Sequence, residues 1–456
     1  MDTPVFDFAR RYAKSGTTRA HMPGHKGVGP LGIEPMDLTE FSGADSLYED
    51  DGILRQSEQN ASQLFGSGVS LYSAEGSSLC IRTMLYLACL RDSHASEPDH
   101  YILAARNAHK VFIQTCALLN LDVGWLWDEA DSFNLCRTMV SPETLDKVLS
   151  DTSHLPIAVY VTSPDYLGNE NDIQGLARVA HKYGVPLLVD NAHGAYLHFL
   201  PESRHPLDLG ADMCCDSAHK TFPCLTGAAY LHISKDAPSE FQTLAKQAMS
   251  MFGSTSPSYL ILESLDANNR YLDGPYRGDL RECIARVEEL KKNLTEQGWD
   301  ILPSDELKLT ILPRSMGYTG TELAGLLEEQ QIMCEYADPD NTVLMLTPQN
   351  TDLDFSRIKK ALSQIPKRNS LEEAELQLSR PEAFCTLRHA MYAPRECIPV
   401  DKAAGRVLAA ATMSCPPAVP AVVCGEIISP EAADILKYYG TEQVWVLKQG
   451  DLSGAE

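Results

Sequence analysis

The chain has 456 residues, 44% hydrophobic and 22% charged, which suits two or three packed domains and argues against wholesale disorder. Its 38 Lys and Arg stand against 62 Asp and Glu, a formal charge of −24 with no basic run to interrupt it, so nucleic-acid backbones and anionic membranes are excluded as partners. The 13 cysteines, an odd number without any Cys-x-x-Cys, read as reduced thiols of a cytoplasmic protein; no signal-peptide core or membrane-length apolar run is present.

In chain order, the first informative segment is Ala74-Glu75-Gly76-Ser77-Ser78 before the helical run LCIRTMLYLACL. Ser77 and Ser78 fall at a predicted helix N-terminus, where free N–H groups and the helix dipole favour a phosphate, although plain N-capping would satisfy the same residues. From Tyr101 to Ile233 apolar runs alternate with helical lengths: YILAARN, PIAVYVTSP, VPLLVDNAH, MCCDSAHK and GAAYLHI. That alternation predicts an α/β class with a mostly parallel sheet covered on both faces. Ligands of such sheets collect at the carboxyl ends of the strands, which here carry Thr162-Ser163-Pro164, Asp190 to His193, and Ser217 to Lys220.

Beyond Gly274 the pattern changes. A charged helix (RECIARVEELKKNLTEQG), the strand LKLTILP, the helix TELAGLLEEQ, the strand TVLMLTP and another helix read as a smaller α+β domain. A polar link, KRNSLEEAELQLSRPE, leads to the Pro-rich CPPAVPAVVCGEIISP, read as a structural cap.

Pyridoxal 5'-phosphate (PLP) asks four things of a protein: a lysine for the imine, a carboxylate for the pyridinium nitrogen, a flat group against the ring and donors for the phosphate. Lys220, after Ser217-Ala218-His219, is placed to reach over a strand end. Asp190 ends a buried strand, where a carboxylate is costly unless it meets a cation or several donors. His193 follows in Asp-Asn-Ala-His-Gly, and His109 follows the strand YILAARN. Each alone could be an ordinary salt bridge, cap or structural histidine. No His or Cys spacing suggests a metal, since there is no His-Glu-x-x-His and His193 and His198 are off helical register.

Together and in this order the segments resemble the PLP-dependent Orn/Lys/Arg decarboxylase family, of the aspartate-aminotransferase-like fold type I. The likeness runs from TPVFDFARRYAKSGTTRAHMPGHKG through FSGADSLYEDDGIL, TSPDYLGN, VPLLVDNAHGA, DSAHKTFPCLTGAAYLH and GSTSPSYLILESLD to RECIPVDKAAGRVLA and CGEIISP. The resemblance implies a large domain with a seven-stranded type of sheet, a smaller α+β domain and a C-terminal extension. The expected boundaries are an N-terminal arm over 1–45, the PLP-binding domain over 46–273, the small domain over 274–366 and the C-terminal segment over 367–456. It further implies Lys220 as imine lysine, Asp190 as pyridinium partner and His109 as stacking ring. Ser77, Ser78, Ser217 and His219 would hold the phosphate, with His193 close to the ring. Thr255 would reach the cofactor of a neighbouring subunit in a homodimer. Lys220, His219 and His193 are the expected catalytic groups, the substrate a small basic amino acid.

The chain starts near the TPVFDF segment, like short members without the N-terminal wing domain. It departs from the family pattern at Ala44-Asp45-Ser46-Leu47-Tyr48, at Glu75 where Asn is common, and at Asp216 where Gln is usual. Those departures keep two other outcomes open: another fold type I reaction, such as an aminotransferase or a different lyase, and a catalytically silent regulatory homologue.

Overall fold

A computed structural model describes residues 1–49, 51–92, 100–127, 136, 138–303, 305–372, 374–411 and 419–448. Asp50, within the FSGADSLYEDDGIL segment, and the start of the Pro-rich CPPAVPAVVCGEIISP lie outside them.

After helices α1 (Pro4–Lys14) and α2 (Gly52–Phe65), the chain alternates: β1 (Val69–Ser73), α3 (Gly76–Asp92), β2 (Tyr101–Ala105), α4 (Lys110–Leu119), β3 (Asp122–Leu126), α5 (Pro142–Asp151), β4 (Val159–Thr162), α6 (Ile173–Lys182), β5 (Leu187–Asp190), β6 (Met213–Asp216), α7 (Ala218–Thr221) and β7 (Ala229–Ile233). Seven strands form one sheet in the order β1-β7-β6-β5-β4-β2-β3. β5 runs parallel to β4 and β6, whereas β7 runs antiparallel to both its neighbours, β1 and β6. The expected fold class is therefore observed: an α/β chain with a large, mostly parallel sheet. Every residue of β4, β5 and β6 is buried, as strands covered on both faces must be. Their runs of Val, Leu, Met and Cys are continuous instead of alternating for that reason.

The structure adds elements that the sequence pattern did not show. β1 and β3 are short and are not among the runs expected as strands. The strand read in MCCDSAHK stops at Asp216, because Ser217 starts the single turn of α7. The helices follow ordinary capping chemistry. Ser141 and Asp172 cap α5 and α6 by accepting from Thr144 and Gly175 amides.

Two compact units emerge. The first comprises 1–103, 141–163 and 172–278 and includes α8 (Ser239–Ser250) and α9 (Tyr259–Asp273). On α9, Glu263 is buried and its Oε1 has no hydrogen-bond partner among the described residues. Burial pushes its carboxyl up to about 9, helped by Asp37 and Asp266. Asp266 is pushed up to about 6, again by burial, against hydrogen bonds from Ser57 and the Phe6 amide. A raised carboxyl stabilises the fold fully below the unfolded value, about 4.5 for Glu, and that contribution is lost as pH rises through the folded value of about 9. Glu263→Gln is therefore expected to raise the thermal midpoint at about pH 8.5 and to change it much less near pH 5, as followed by circular dichroism. Equal shifts at both pH values would contradict this assignment.

The second unit comprises 104–140, 164–171 and 279–456. Within it lies the four-stranded antiparallel sheet β10-β11-β9-β8, made of β8 (Asp300–Leu302), β9 (Lys308–Leu312), β10 (Tyr336–Ala337) and β11 (Thr342–Met345). The charged helix expected here is α10 (Tyr276–Glu296), which begins in the first unit; α11 (Gly320–Glu329) and α12 (Asp352–Gln364) follow. Thr319 and Thr351 start α11 and α12 with capping boxes completed by Glu322 and Asp354. In the TSPDYLGN segment Asp165 accepts from the Leu167 and Asn169 amides, fixing the turn at Gly168 (φ +93°), where a side chain would collide with Asp305. The C-terminal part adds α13 (Leu387–Tyr392), α14 (Pro430–Tyr438) and the antiparallel pair β12 (Arg395–Pro399) and β13 (Gln443–Leu447) around a core of Leu408, Val422, Ile435 and Val444.

Candidate active site

The register of the central strands sets out the groups at their carboxyl ends. Thr162 pairs with Asp190, and Asp190 with Cys215, so the ends of β4, β5 and β6 lie side by side. Asp190 is only 3% exposed. Its carboxylate accepts from the Tyr160 hydroxyl at 3.2 Å, the Ala192 amide at 3.2 Å and the Cys215 thiol at 3.5 Å. These are neutral donors, so the buried carboxylate is oriented by them and can still accept a cationic partner.

Beyond β6 the single turn of α7 presents Lys220, whose Nζ lies 2.9 Å from Nε2 of His193. His219, one residue earlier, has Nδ1 at 2.9 Å from the Ala228 carbonyl. A carbonyl only accepts, so Nδ1 carries the proton and Nε2 of the neutral ring is an acceptor. The Ser217 hydroxyl donates to that of Ser77 at 3.0 Å, joining the start of α7 to the N-terminus of the 17-residue helix α3. Gly76 takes φ +68° there, and its amide bonds the Gly227 carbonyl at 2.7 Å. Ser78 follows in the first turn of α3. The amine, the buried carboxylate and the hydroxyls at a helix N-terminus are the donor set that PLP requires, so the residues fit the group.

Two expected residues lie on other elements. His109 caps α4 in the second unit, its Nδ1 accepting from the Val111 amide at 3.2 Å. Thr255 is exposed in the loop before α9. The departures at Tyr48 and Glu75 converge on that loop: Glu75 Oε1 accepts from the Ser254 amide at 2.6 Å, and the Tyr48 ring occupies the space a side chain at Gly253 would need.

Beside the cluster, Asp216 is marked in the sequence only as a departure, and its partners His205 and His232 give no sign there. Asp216 is wholly buried, accepting from Asn191 Nδ2 at 2.6 Å and lying 3.1 Å from His205 Nε2 and 3.3 Å from His232 Nε2. Burial alone would raise its carboxyl, but the two imidazoles outweigh that and hold it well below the usual range. The three groups are close enough to hold a metal ion, as are His198, His205 and Asp208. The sequence spacing hid both clusters, because loops and sheet register, not a helical repeat, bring them together. His232 Nδ1 also bonds the Ser70 hydroxyl at 2.7 Å, so hydrogen bonding already accounts for its orientation.

The chain matches known proteins over most of its length. The description Orn/Lys/Arg decarboxylase, major domain, matches residues 3–313, and Orn/Lys/Arg decarboxylase, C-terminal domain, matches 369–447. The chain is 29% identical over 462 residues to an arginine decarboxylase of Bacillus subtilis, covering 94% of this chain and 92% of that one. It is 28% identical over 467 residues to the B. subtilis protein YaaO, which has no characterised activity, covering 96% and 94%. Among solved structures, the Francisella novicida lysine decarboxylase superposes with a TM-score of 0.81 at 17% identity, over 98% of this chain and 81% of that one. The constitutive lysine decarboxylase of Escherichia coli gives 0.79 at 17%, over 98% and 82%. These two show the shared fold. The chain belongs to the Orn/Lys/Arg decarboxylase family and is a PLP-dependent decarboxylase.

Proposed function

We propose that the protein decarboxylates a basic amino acid, arginine, lysine or ornithine, to the corresponding amine, with Lys220 as the residue that carries the cofactor. The observation that supports this most directly is the joint placement of Lys220 beside His193 and of the buried, neutral-donor-bound Asp190 at adjacent strand ends. Bound PLP supplies an electron sink for the pair released when the bond to the carboxylate breaks. Asp190 would keep the pyridine nitrogen protonated. Ser77, Ser78 and Ser217, with His219 as imidazolium, would hold the phosphate, and His109 would be the stacking ring. Lys220 would hold the cofactor, with His193 Nε2, 2.9 Å away, able to take a proton from its amine; once displaced, Lys220 as ammonium, or His219 as imidazolium because its Nδ1–H is already committed, would return a proton to the substrate carbon.

Thr255, exposed here, would complete the phosphate site of a neighbouring copy, making a homodimer the working unit. Among the described residues no helix is long and apolar enough to cross a membrane, and a cytoplasmic location suits the reduced cysteines. The test is CO2 release from arginine, lysine and ornithine by the PLP-loaded protein. Release from one of them is the expected result. A cofactor band without release from any would point to another fold type I reaction, and absence of a band to a catalytically silent homologue.

A further inference from the structure

Arg106 lies three residues before His109 and is 1% exposed. Its guanidinium makes a two-pronged bond to Glu426, 2.8 Å to Oε1 and 2.6 Å to Oε2, and its Nε donates to the Pro420 carbonyl at 3.1 Å. The rings of Trp125 and Trp127 lie 4.8 and 4.7 Å from its central carbon. Glu426, 6% exposed, is held in turn: Oε2 accepts from the Val423 amide at 2.8 Å, and its own carbonyl accepts from the Leu408 amide at 3.0 Å. Between Arg106 and His109, Asn107 and Ala108 are buried, so the segment has little freedom to swing. At the far end of α4, Arg388 of α13 donates to the Ala117 and Leu118 carbonyls at 3.2 and 3.0 Å. The helix that His109 caps is thus gripped at both ends by side chains from the C-terminal part of the chain.

We propose that Arg106 and Glu426 are positioning residues for His109, so that the C-terminal domain, through Glu426, sets the angle at which that imidazole meets the flat face of the cofactor. The inference rests on the reading of His109 as the stacking ring. A bidentate carboxylate–guanidinium pair fixes orientation as well as distance, which a lysine or an amide cannot reproduce. Its burial between two indoles removes competing water. The Pro-rich CGEIISP segment is on this view not a passive cap: it delivers the one carboxylate that closes the grip.

The test is a double-mutant cycle with Glu426→Gln, Arg106→Lys and His109→Ala, read by PLP dissociation constant, by circular dichroism of the bound cofactor band, and by amide exchange over residues 107–112 in cofactor-free protein. Glu426→Gln and Arg106→Lys are each expected to weaken PLP by roughly ten-fold, to reshape the visible dichroism and to speed exchange of the Val111 and Phe112 amides. In the His109→Ala background the same substitutions should change PLP affinity by less than about two-fold. Should they weaken PLP equally with and without His109, the pair acts on the fold generally and the inference falls while the reading of His109 stands. If His109→Ala leaves affinity and dichroism unchanged, that reading fails and carries the inference down with it. Arg106→Lys keeps the buried charge paired and serves where Glu426→Gln does not accumulate in folded form.

Discussion

Lys220→Ala is expected to abolish the visible absorption of the bound cofactor and to lower CO2 release by on the order of 10⁴-fold, as loss of a central catalytic group does elsewhere. The side chain removed is half-buried on a single-turn helix whose backbone is held independently of it, through the Lys220 amide to the Ser217 carbonyl and the Phe222 amide to the Ala218 carbonyl. Folding should therefore be spared, with thermal midpoint and far-ultraviolet dichroism close to those of the parent. The proposed phosphate donors Ser77 and Ser217 remain in place, so PLP should still associate, reversibly and without the parent's band. A variant that keeps both the band and the activity would remove Lys220 from the mechanism and with it the proposed function.

Much of this was legible in the chain because buried parallel strands announce themselves. VPLLVD and PIAVYV are continuous apolar runs separated by helical lengths, and the polar residues that end them fall where such sheets collect ligands. Asp190, His193, Ser217 and Lys220 could be singled out for that reason. β1 and β3 could not: each has five residues, and β3 is exposed or half-buried along most of its length, so neither gives a clean period. Partners distant in the chain were equally silent. Tyr160 meets Asp190 at a separation of 30 residues, His205 meets Asp216 at 11, and Arg106 meets Glu426 at 320; no local spacing encodes such pairs. The acidic departures are a different case. Glu75 and Asp216 were visible as unusual residues, but only the structure shows that one holds the Ser254 amide and the other sits between two imidazoles and Asn191.

Asp190→Asn separates charge from shape. The Ala192 amide can only donate, so the new side chain must turn its oxygen toward that amide, which leaves its nitrogen facing the Tyr160 hydroxyl. A hydroxyl can accept as well as donate, and Tyr160 can rotate its proton to suit. The buried network thus survives with the same heavy-atom positions, and the change removes little besides the negative charge. In the proposed function that charge would hold the pyridine nitrogen protonated, so CO2 release should fall by about 10³-fold while the fold persists and PLP affinity changes far less. Tyr160→Phe is the matching control: it deletes one hydrogen bond to the carboxylate, keeps the charge, and should cost about ten-fold at most. Rates from single-turnover CO2 release, beside PLP dissociation constants from equilibrium dialysis, distinguish the two. If Asp190→Asn proved as active as Tyr160→Phe, the carboxylate would be a structural acceptor at the end of β5 and the pyridinium partner would have to be sought elsewhere.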